Sequence, residues 1–130
     1  MQERIKQEVA LIHHFYPNAE YHDSGWIRIP DYRLPDGIWN FVSIEVSAQF
    51  PIPGYPGKAP YGIYVRPFLK LKGSQAVPTN YTEPVGTPFG NDWGKFSWQP
   101  EKWRATADLY SGSNMMDFIR TFADRFKEKN

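Results

Sequence analysis

The feature that most constrains this chain is a proline-rich segment placed between two stretches that alternate apolar and polar residues. The segment, residues 50–60, contains four prolines together with Phe50 and Tyr55. Proline fixes φ and has no backbone N–H to donate, so this segment fits neither a helix interior nor a central strand. Residues 41–47 before it and 61–65 after it have the period of two that is typical of strands. We predict two strands joined by a rigid, extended crossing, which we call the proline strap.

Apolar periodicity predicts one helix near each end of the chain. Residues 2–16 repeat apolar side chains at the spacing of one helical face, and Pro17 ends the pattern. Residues 114–127 form a second apolar stripe, and Ser113 is a suitable N-cap for it. Both helices are therefore predicted to bury one face.

Between the helices we predict an antiparallel meander followed by a long loop. The predicted strands cover residues 26–29, 39–47 and 61–67, with room for a fourth around 68–71. Residues 73–95 are rich in glycine, proline and asparagine, and a loop of this length is usually functional or mobile. The order predicts an α+β fold in which helices cover a twisted antiparallel sheet.

Composition limits the function classes that this chain fits. Its 130 residues are predicted to form one domain, 1–130, and the 15 basic and 14 acidic side chains form no basic stripe that would favour nucleic acid. No apolar run reaches the length of a membrane span, and the N-terminus lacks the apolar centre of a secretory signal, so we expect a cytoplasmic protein. The chain has no cysteine, which excludes disulfides, thiolate zinc sites and a thiol nucleophile.

The order of these features resembles the ubiquitin-conjugating enzyme (UBC) superfamily. Its members open with a helix, continue into a meander and a strap of the form FP-x-x-x-YP-x-x-x-P, and carry a tryptophan before the next helix. These positions are matched here by Phe50-Pro51, Tyr55-Pro56, Pro60 and Trp103. The stretch 98–114 is more similar to the bacterial branches of the superfamily. The resemblance covers most of the chain and implies a UBC-like fold.

The chain departs from the catalytic members of that superfamily at the site of their chemistry. Their cysteine lies several residues before the tryptophan. The corresponding window here is Lys95, Phe96, Ser97 and Trp98. Because a serine hydroxyl needs an adjacent base and no histidine is adjacent, we interpret Ser97 as the relic of a nucleophile or as a Cys→Ser change made in the laboratory. The His-Pro-Asn motif, whose asparagine is thought to support the oxyanion, is also absent; by loop position alone, Asn80 and Asn91 are candidates for that asparagine.

The resemblance therefore implies a non-catalytic relative in a bacterial ubiquitin-like modification pathway, and we lean against enzyme activity. Its expected partners are a ubiquitin-like protein, the activating enzyme, or both, bound without a cofactor through the sheet face or the long loop. The second hypothesis is an active conjugating enzyme whose cysteine has been replaced.

Aromatic residues in and after the predicted loop supply the candidate binding residues, Tyr81, Trp93 and Trp98. Trp93, between an aspartate and a glycine, is the best candidate for an exposed anchor. A third hypothesis, a small carbohydrate-binding module, requires Trp93 and Trp98 to be coplanar and exposed on the sheet.

Metal binding and carboxylate chemistry are not predicted. Adjacent histidines on a helix point about 100° apart, so His13 and His14 do not easily share a metal. His22 has only Asp23 beside it as a carboxylate ligand. No two carboxylates have a spacing that favours a hydrolytic pair.

Overall fold

Helices pack on one face of a six-stranded antiparallel sheet in the computed structural model, which describes residues 1–130. The helices are α1 (Glu3–Phe15), α2 (Met115–Arg120) and α3 (Phe122–Phe126). The strands are β1 (Glu20–His22), β2 (Trp26–Arg33), β3 (Ser43–Gln49), β4 (Ile63–Arg66), β5 (Tyr81–Thr87) and β6 (Gly90–Phe96). Their order across the sheet is β1-β2-β3-β4-β6-β5. The predicted α+β class and the antiparallel meander of β2, β3 and β4 are confirmed.

The first helix forms where its apolar spacing predicts. Ile5, Val9 and Ile12 lie on one face of α1 and are buried in the core. The helix is one residue shorter at each end than residues 2–16, and Pro17 follows it closely. None of the three helices has the length and apolarity that crossing a membrane requires.

The C-terminal helix differs from its prediction in its cap and in its continuity. Asn114, not Ser113, is the N-cap, because its side-chain oxygen accepts a hydrogen bond from the Asp117 N–H at 2.8 Å. The predicted single helix over 114–127 is divided at Thr121 into α2 and α3. The Thr121 hydroxyl donates to a backbone carbonyl one turn earlier at 2.6 Å, a bond that commonly bends helices.

The start of β3 is later than predicted. The strand begins at Ser43 rather than at residue 39, because Trp39 turns into the core and donates its indole N–H to the carbonyl of Phe126 at 2.8 Å. Val42, which strict alternation would place on the same face as Ile44 and Val46, is 66% exposed.

Two other strands differ in length from their predicted bounds. β2 continues past Pro30, where the register with β3 shifts, because a bulge accommodates a residue that has no N–H to donate. β4 is shorter than predicted. The fourth strand considered around residues 68–71 is reduced to one isolated bridge, between Leu71 and Trp39.

The proline strap is folded into turns, so its prediction as an extended crossing is wrong. The Tyr55 N–H donates to the Pro51 carbonyl at 3.0 Å, and the Lys58 N–H donates to the Gly54 carbonyl at 2.9 Å. Gly54 has a φ of +113°, which L side chains rarely adopt, so this glycine permits the turn. The turns point the Tyr55 side chain inward, where it is buried.

Most of the long loop predicted over residues 73–95 is a β-hairpin, so this prediction is also wrong. β5 and β6 pair with each other, and β6 joins the sheet beside β4. Pro84 is tolerated because β5 is the edge strand. Gly94 gives the Tyr81 side chain room to cross β6, since a Cβ at position 94 would overlap that ring.

Candidate functional site

The site predicted from the missing nucleophile lies on a cleft with a volume of about 1110 Å³. One wall is the segment 97–103, which follows β6, and the opposite wall is formed by α2 and α3. Tyr61 and Asn80 also line it. We call this feature the Trp98 cleft. Its lining combines aromatic and polar side chains, which suits it to binding a partner.

Ser97 and Asn80 meet in this cleft. Ser97 is exposed, and its N–H donates to the Asn80 carbonyl at 2.8 Å. Asn80 has a φ of +56°, a conformation that asparagine tolerates better than most residues. Asn91, the other candidate for the oxyanion asparagine, lies on β6 near the hairpin turn and does not line the cleft. None of the three histidines lines it either.

Trp98 is a half-buried wall of the cleft. Its indole N–H donates to the Thr121 hydroxyl oxygen at 2.9 Å, which joins the segment after β6 to the bend between α2 and α3. Trp103 is also half-buried, and its indole N–H donates to the Pro56 carbonyl at 2.6 Å. Trp103 therefore fastens the proline strap, whereas Trp98 lies between the core and the cleft.

The predicted exposure of Trp93 is wrong, because its side chain is 0% exposed. The Arg66 guanidinium lies 4.6 Å from the centre of its ring, and Phe89 from the hairpin turn packs at 6.2 Å. The turn thus folds back over Trp93, which leaves it no surface for an anchor.

Tyr81 is also buried, and it does not line the cleft. Its hydroxyl donates to Glu83 Oε2 at 2.8 Å and accepts the Leu69 N–H at 3.2 Å. Burial raises the pKa of this phenol, so the hydroxyl keeps its proton. Tyr81 joins the hairpin to the preceding segment, and of the three candidate binding residues only Trp98 reaches the cleft.

The outer face of the sheet carries an ion-pair network that the sequence analysis missed. Glu45 accepts two hydrogen bonds from Arg66, at 2.7 and 2.8 Å, and one from Arg28 at 2.6 Å. These bonds, that from Arg66 above all, hold the pKa of the Glu45 carboxyl below its usual range. Cross-strand alternation places Glu45 on the outer face, but only the pairing of β3 with β2 and β4 shows that an arginine stands on each side.

A second missed residue, Glu8, joins three parts of the chain and is 0% exposed. Its Oε1 accepts the Tyr55 hydroxyl at 2.5 Å and the Met115 N–H at 2.6 Å, and its Oε2 accepts Arg4 Nε at 2.6 Å. Arg4 in turn donates to the carbonyls of Thr106 and Ser113. We call this set the Glu8 junction.

A sequence signal for the junction did exist. Glu8 falls on the apolar face of α1, between Ile5 and Ile12, and Arg4 precedes it by one helical turn. Since Ser113 also lines the Trp98 cleft, the bond from Arg4 to the Ser113 carbonyl connects the junction to the cleft lining.

No group of three or more histidine, aspartate or glutamate side chains is arranged to hold a metal ion. His13 contacts the Ala19 carbonyl at 2.7 Å, and His22 contacts the Ser24 hydroxyl at 2.7 Å. Both histidines are therefore engaged in contacts within the chain.

Comparison with known proteins identifies a family to which the chain is similar. A family model described as "Prokaryotic E2 family E" matches residues 9–123, which is most of the chain and includes the proline strap and the segment 97–103. No curated protein and no solved structure matches the chain.

Proposed function

The chain belongs to prokaryotic E2 family E, and from this membership we propose that it is a non-catalytic binding subunit of a bacterial ubiquitin-like modification pathway. E2 is the conjugating component of such pathways, so the family places the chain in the bacterial branch of the UBC superfamily to which its sequence was similar. The proposed partners are a ubiquitin-like protein, its activating enzyme, or both, in the cytoplasm. The proposal rests on the family for the pathway and on the Trp98 cleft for the mode of action.

The non-catalytic assignment rests on the residues at 95–98, the place of the missing nucleophile, and on the groups around them. The chain has no cysteine, and the exposed residue of that window on the cleft is Ser97. With no histidine in the lining, its hydroxyl has no imidazole base to activate it. The cleft therefore offers surface and hydrogen-bonding groups rather than an activated nucleophile.

Binding through the cleft is the proposed mode of action. Tyr61 is 48% exposed and Trp98 is half-buried, so both present aromatic surface at a place that is already ordered. Trp98 is held by its bond to Thr121, and rigid aromatic side chains lose little conformational entropy when a partner binds.

Affinity capture tests the proposal. Tagged protein would be incubated in lysate of the source organism with and without ATP and reducing agent, and captured proteins would be identified by mass spectrometry. We expect a ubiquitin-like protein or an activating enzyme, recovered equally under all four conditions and lost with Trp98→Ala. Tyr110→Ala is the matched control, because Tyr110 is 76% exposed and does not line the cleft. Recovery of neither partner would contradict the proposal.

A second candidate function is an active conjugating enzyme whose nucleophile stood at position 97. The backbone bond between Ser97 and Asn80 favours it, because it brings the residue whose side-chain amide could support an oxyanion next to residues 95–98. Ser97→Cys distinguishes the two functions, with Ser43→Cys as an exposed control outside the cleft. An ATP-dependent, reductant-sensitive mass increase on Ser97→Cys alone would support the enzyme; under our proposal neither variant forms an adduct.

The carbohydrate-binding alternative is not supported. It required Trp93 and Trp98 side by side and exposed on the sheet, but Trp93 is buried and Trp98 lies after the last strand, against Thr121.

A further inference from the structure

The turn of the β5–β6 hairpin lies over the outer face of the sheet, opposite the core. We call residues 87–90 the tip. Its Phe89 ring is half-buried and packs 6.2 Å from the Trp93 ring and 6.0 Å from the His22 ring. The Arg28 guanidinium lies 5.8 Å from the centre of the same ring. This one ring therefore connects β6 with β2 and β1, which β4 and β3 separate from it in the sheet.

One guanidinium fastens the tip to the sheet. Arg66 of β4 donates from Nη1 to the Phe89 carbonyl at 2.9 Å and to Asp92 Oδ1 at 3.1 Å. Its Nε and Nη2 donate to Glu45 instead. The Asp92 side chain is 68% exposed, so its pairing with Arg66 is weak. The bond to the Phe89 carbonyl is therefore the main polar attachment of the tip to β4.

The strand pairing that leads to the tip is irregular. β5 pairs with β6 at Val85 and Trp93 and again at Thr87 and Gly90, and the register shifts on both sides of Val85. Such shifts disrupt the hydrogen-bonded ladder locally. The pairing of β6 with β4 involves residues 94–96. The tip can therefore move while β6 stays in the sheet.

Trp93 is the residue that the tip covers. Its side chain is 0% exposed, yet it lies outside the core cluster that the helices cover. Its indole N–H is buried and has no acceptor. A buried donor without an acceptor destabilises the arrangement that buries it, and water would satisfy this donor if the tip moved away. The closed arrangement thus carries a cost that opening removes, and opening leaves the core intact.

We propose that the tip is a lid, which opens as a local unit and exposes Trp93 on the outer face of the sheet while the rest of the fold stays intact. In the closed arrangement the lid also contacts both arginines of the Glu45 network. A partner that docks on this face binds only the open fraction of molecules, so the lid lowers its apparent affinity. Lid opening is independent of the proposed function, since it requires no partner.

Exchange of the indole N–H protons with heavy water measures the opening. NMR spectra of isotope-labelled protein would follow Trp93 and, as a reference, Trp39, whose N–H is bonded to the Phe126 carbonyl inside the core. We expect the Trp93 proton to exchange at least about a hundredfold faster than the Trp39 proton. Low concentrations of urea should raise the Trp39 rate and leave the Trp93 rate nearly unchanged, because only global unfolding exposes much surface.

Two variants locate the opening at the tip. Phe89→Ala removes the ring that covers Trp93. Gly90→Ala would place a Cβ 2.8 Å from Arg66 Nη1, at a φ of +143° that L side chains rarely adopt. Both should favour the open lid. Each should speed up Trp93 exchange about tenfold and change Trp39 exchange by less than about twofold.

Thr82→Ala is the matched control, because Thr82 is an exposed residue near the start of β5 and should change neither rate. Equal exchange of Trp93 and Trp39 in the wild type, with the same dependence on urea, would show that the tip opens only with global unfolding and would overturn the lid. An equal acceleration of both protons by Phe89→Ala would overturn it too, because the variant would then act through overall stability.

Discussion

At the scale of single residues, the Glu8 junction should contribute more to stability than any exposed pair. Glu8→Ala would leave the Met115 N–H and the Tyr55 hydroxyl buried without an acceptor and would unpair Arg4. We expect the free energy of unfolding to fall by about 3 to 5 kcal/mol, measured by urea denaturation. Glu8→Gln keeps an acceptor oxygen and should lose about half as much.

Gln7→Ala is the matched control for this prediction. Gln7 is the neighbouring residue of α1 and is exposed, so its truncation should change stability by less than about 0.5 kcal/mol. If Glu8→Ala destabilised the protein no more than Gln7→Ala, the junction would not hold α1, the strap and α2 together.

Glu45 gives a prediction about pH. Because hydrogen bonds from Arg66 and Arg28 lower the pKa of its carboxyl in the folded state, the network stabilises the fold fully above the ordinary glutamate pKa. The stabilisation is lost as pH falls through the lowered value. Glu45→Gln should therefore cost about 1 kcal/mol at neutral pH and progressively less in acid.

Urea denaturation of the wild type and Glu45→Gln, from about pH 7 down to about pH 3, measures this difference. If the difference in free energy of unfolding stayed constant over the whole pH range, it would come from altered packing and not from loss of the ionised carboxylate.

At the scale of elements, the β5–β6 hairpin depends on the close approach of the Tyr81 ring to Gly94. Gly94→Ala would place a methyl group where the Tyr81 ring crosses β6, so the ring must move and its hydroxyl lose its bonds to Glu83 and Leu69. We expect a loss of about 2 to 3 kcal/mol in chemical denaturation.

The same substitution made together with Tyr81→Ala should cost clearly less, because the ring is gone. Gly86→Ala is the control on the same hairpin, since its Cβ would meet only the flexible Asn91 side chain, at 3.0 Å. Additive effects of Gly94→Ala and Tyr81→Ala would contradict the proposed steric origin.

The hairpin also shows where prediction from sequence ends. The helices and the meander follow from periodicity, because Ile5, Val9 and Ile12 must share one face to be buried together. Glycine and proline made residues 73–95 look like a loop, since each is unfavourable in an average strand. In the structure Gly94 makes room for a ring, and Pro84 sits on an edge that needs no N–H. Both reasons depend on tertiary neighbours that the local sequence does not show.

The candidate site, like the fold, was predicted only in part. The window around Ser97 and Trp98 was located by its distance from Trp103, and the structure places both residues on the cleft. Trp93 was misjudged, because its flanking polar residues suggested exposure while the hairpin turn and Arg66 cover it. The cleft itself could not be predicted, because it forms only where the segment 97–103 comes together with α2 and α3 in the fold.

At the scale of the whole molecule, one core lies between the sheet and all three helices. Phe122 is fully buried there, with its ring 5.1 Å from that of Phe118. Phe122→Ala should lower the free energy of unfolding by about 3 to 5 kcal/mol, whereas Tyr110→Ala, at an exposed position, should change it little.

Because strands and helices share this core, circular dichroism and tryptophan fluorescence should report the same unfolding midpoint for Phe122→Ala. Separate midpoints would show that the C-terminal helices unfold independently of the sheet.

The edge position of β5 has a consequence for how this protein meets other chains. An exposed edge strand is a template on which a neighbouring chain can add a strand and start a polymer. Pro84 interrupts that template, because it offers no amide hydrogen, and the irregular register of β5 against β6 twists the edge around it. At the opposite end, β1 has only three residues. Both edges of the sheet are thus poor templates for strand addition, which protects the chain from polymerising through its backbone.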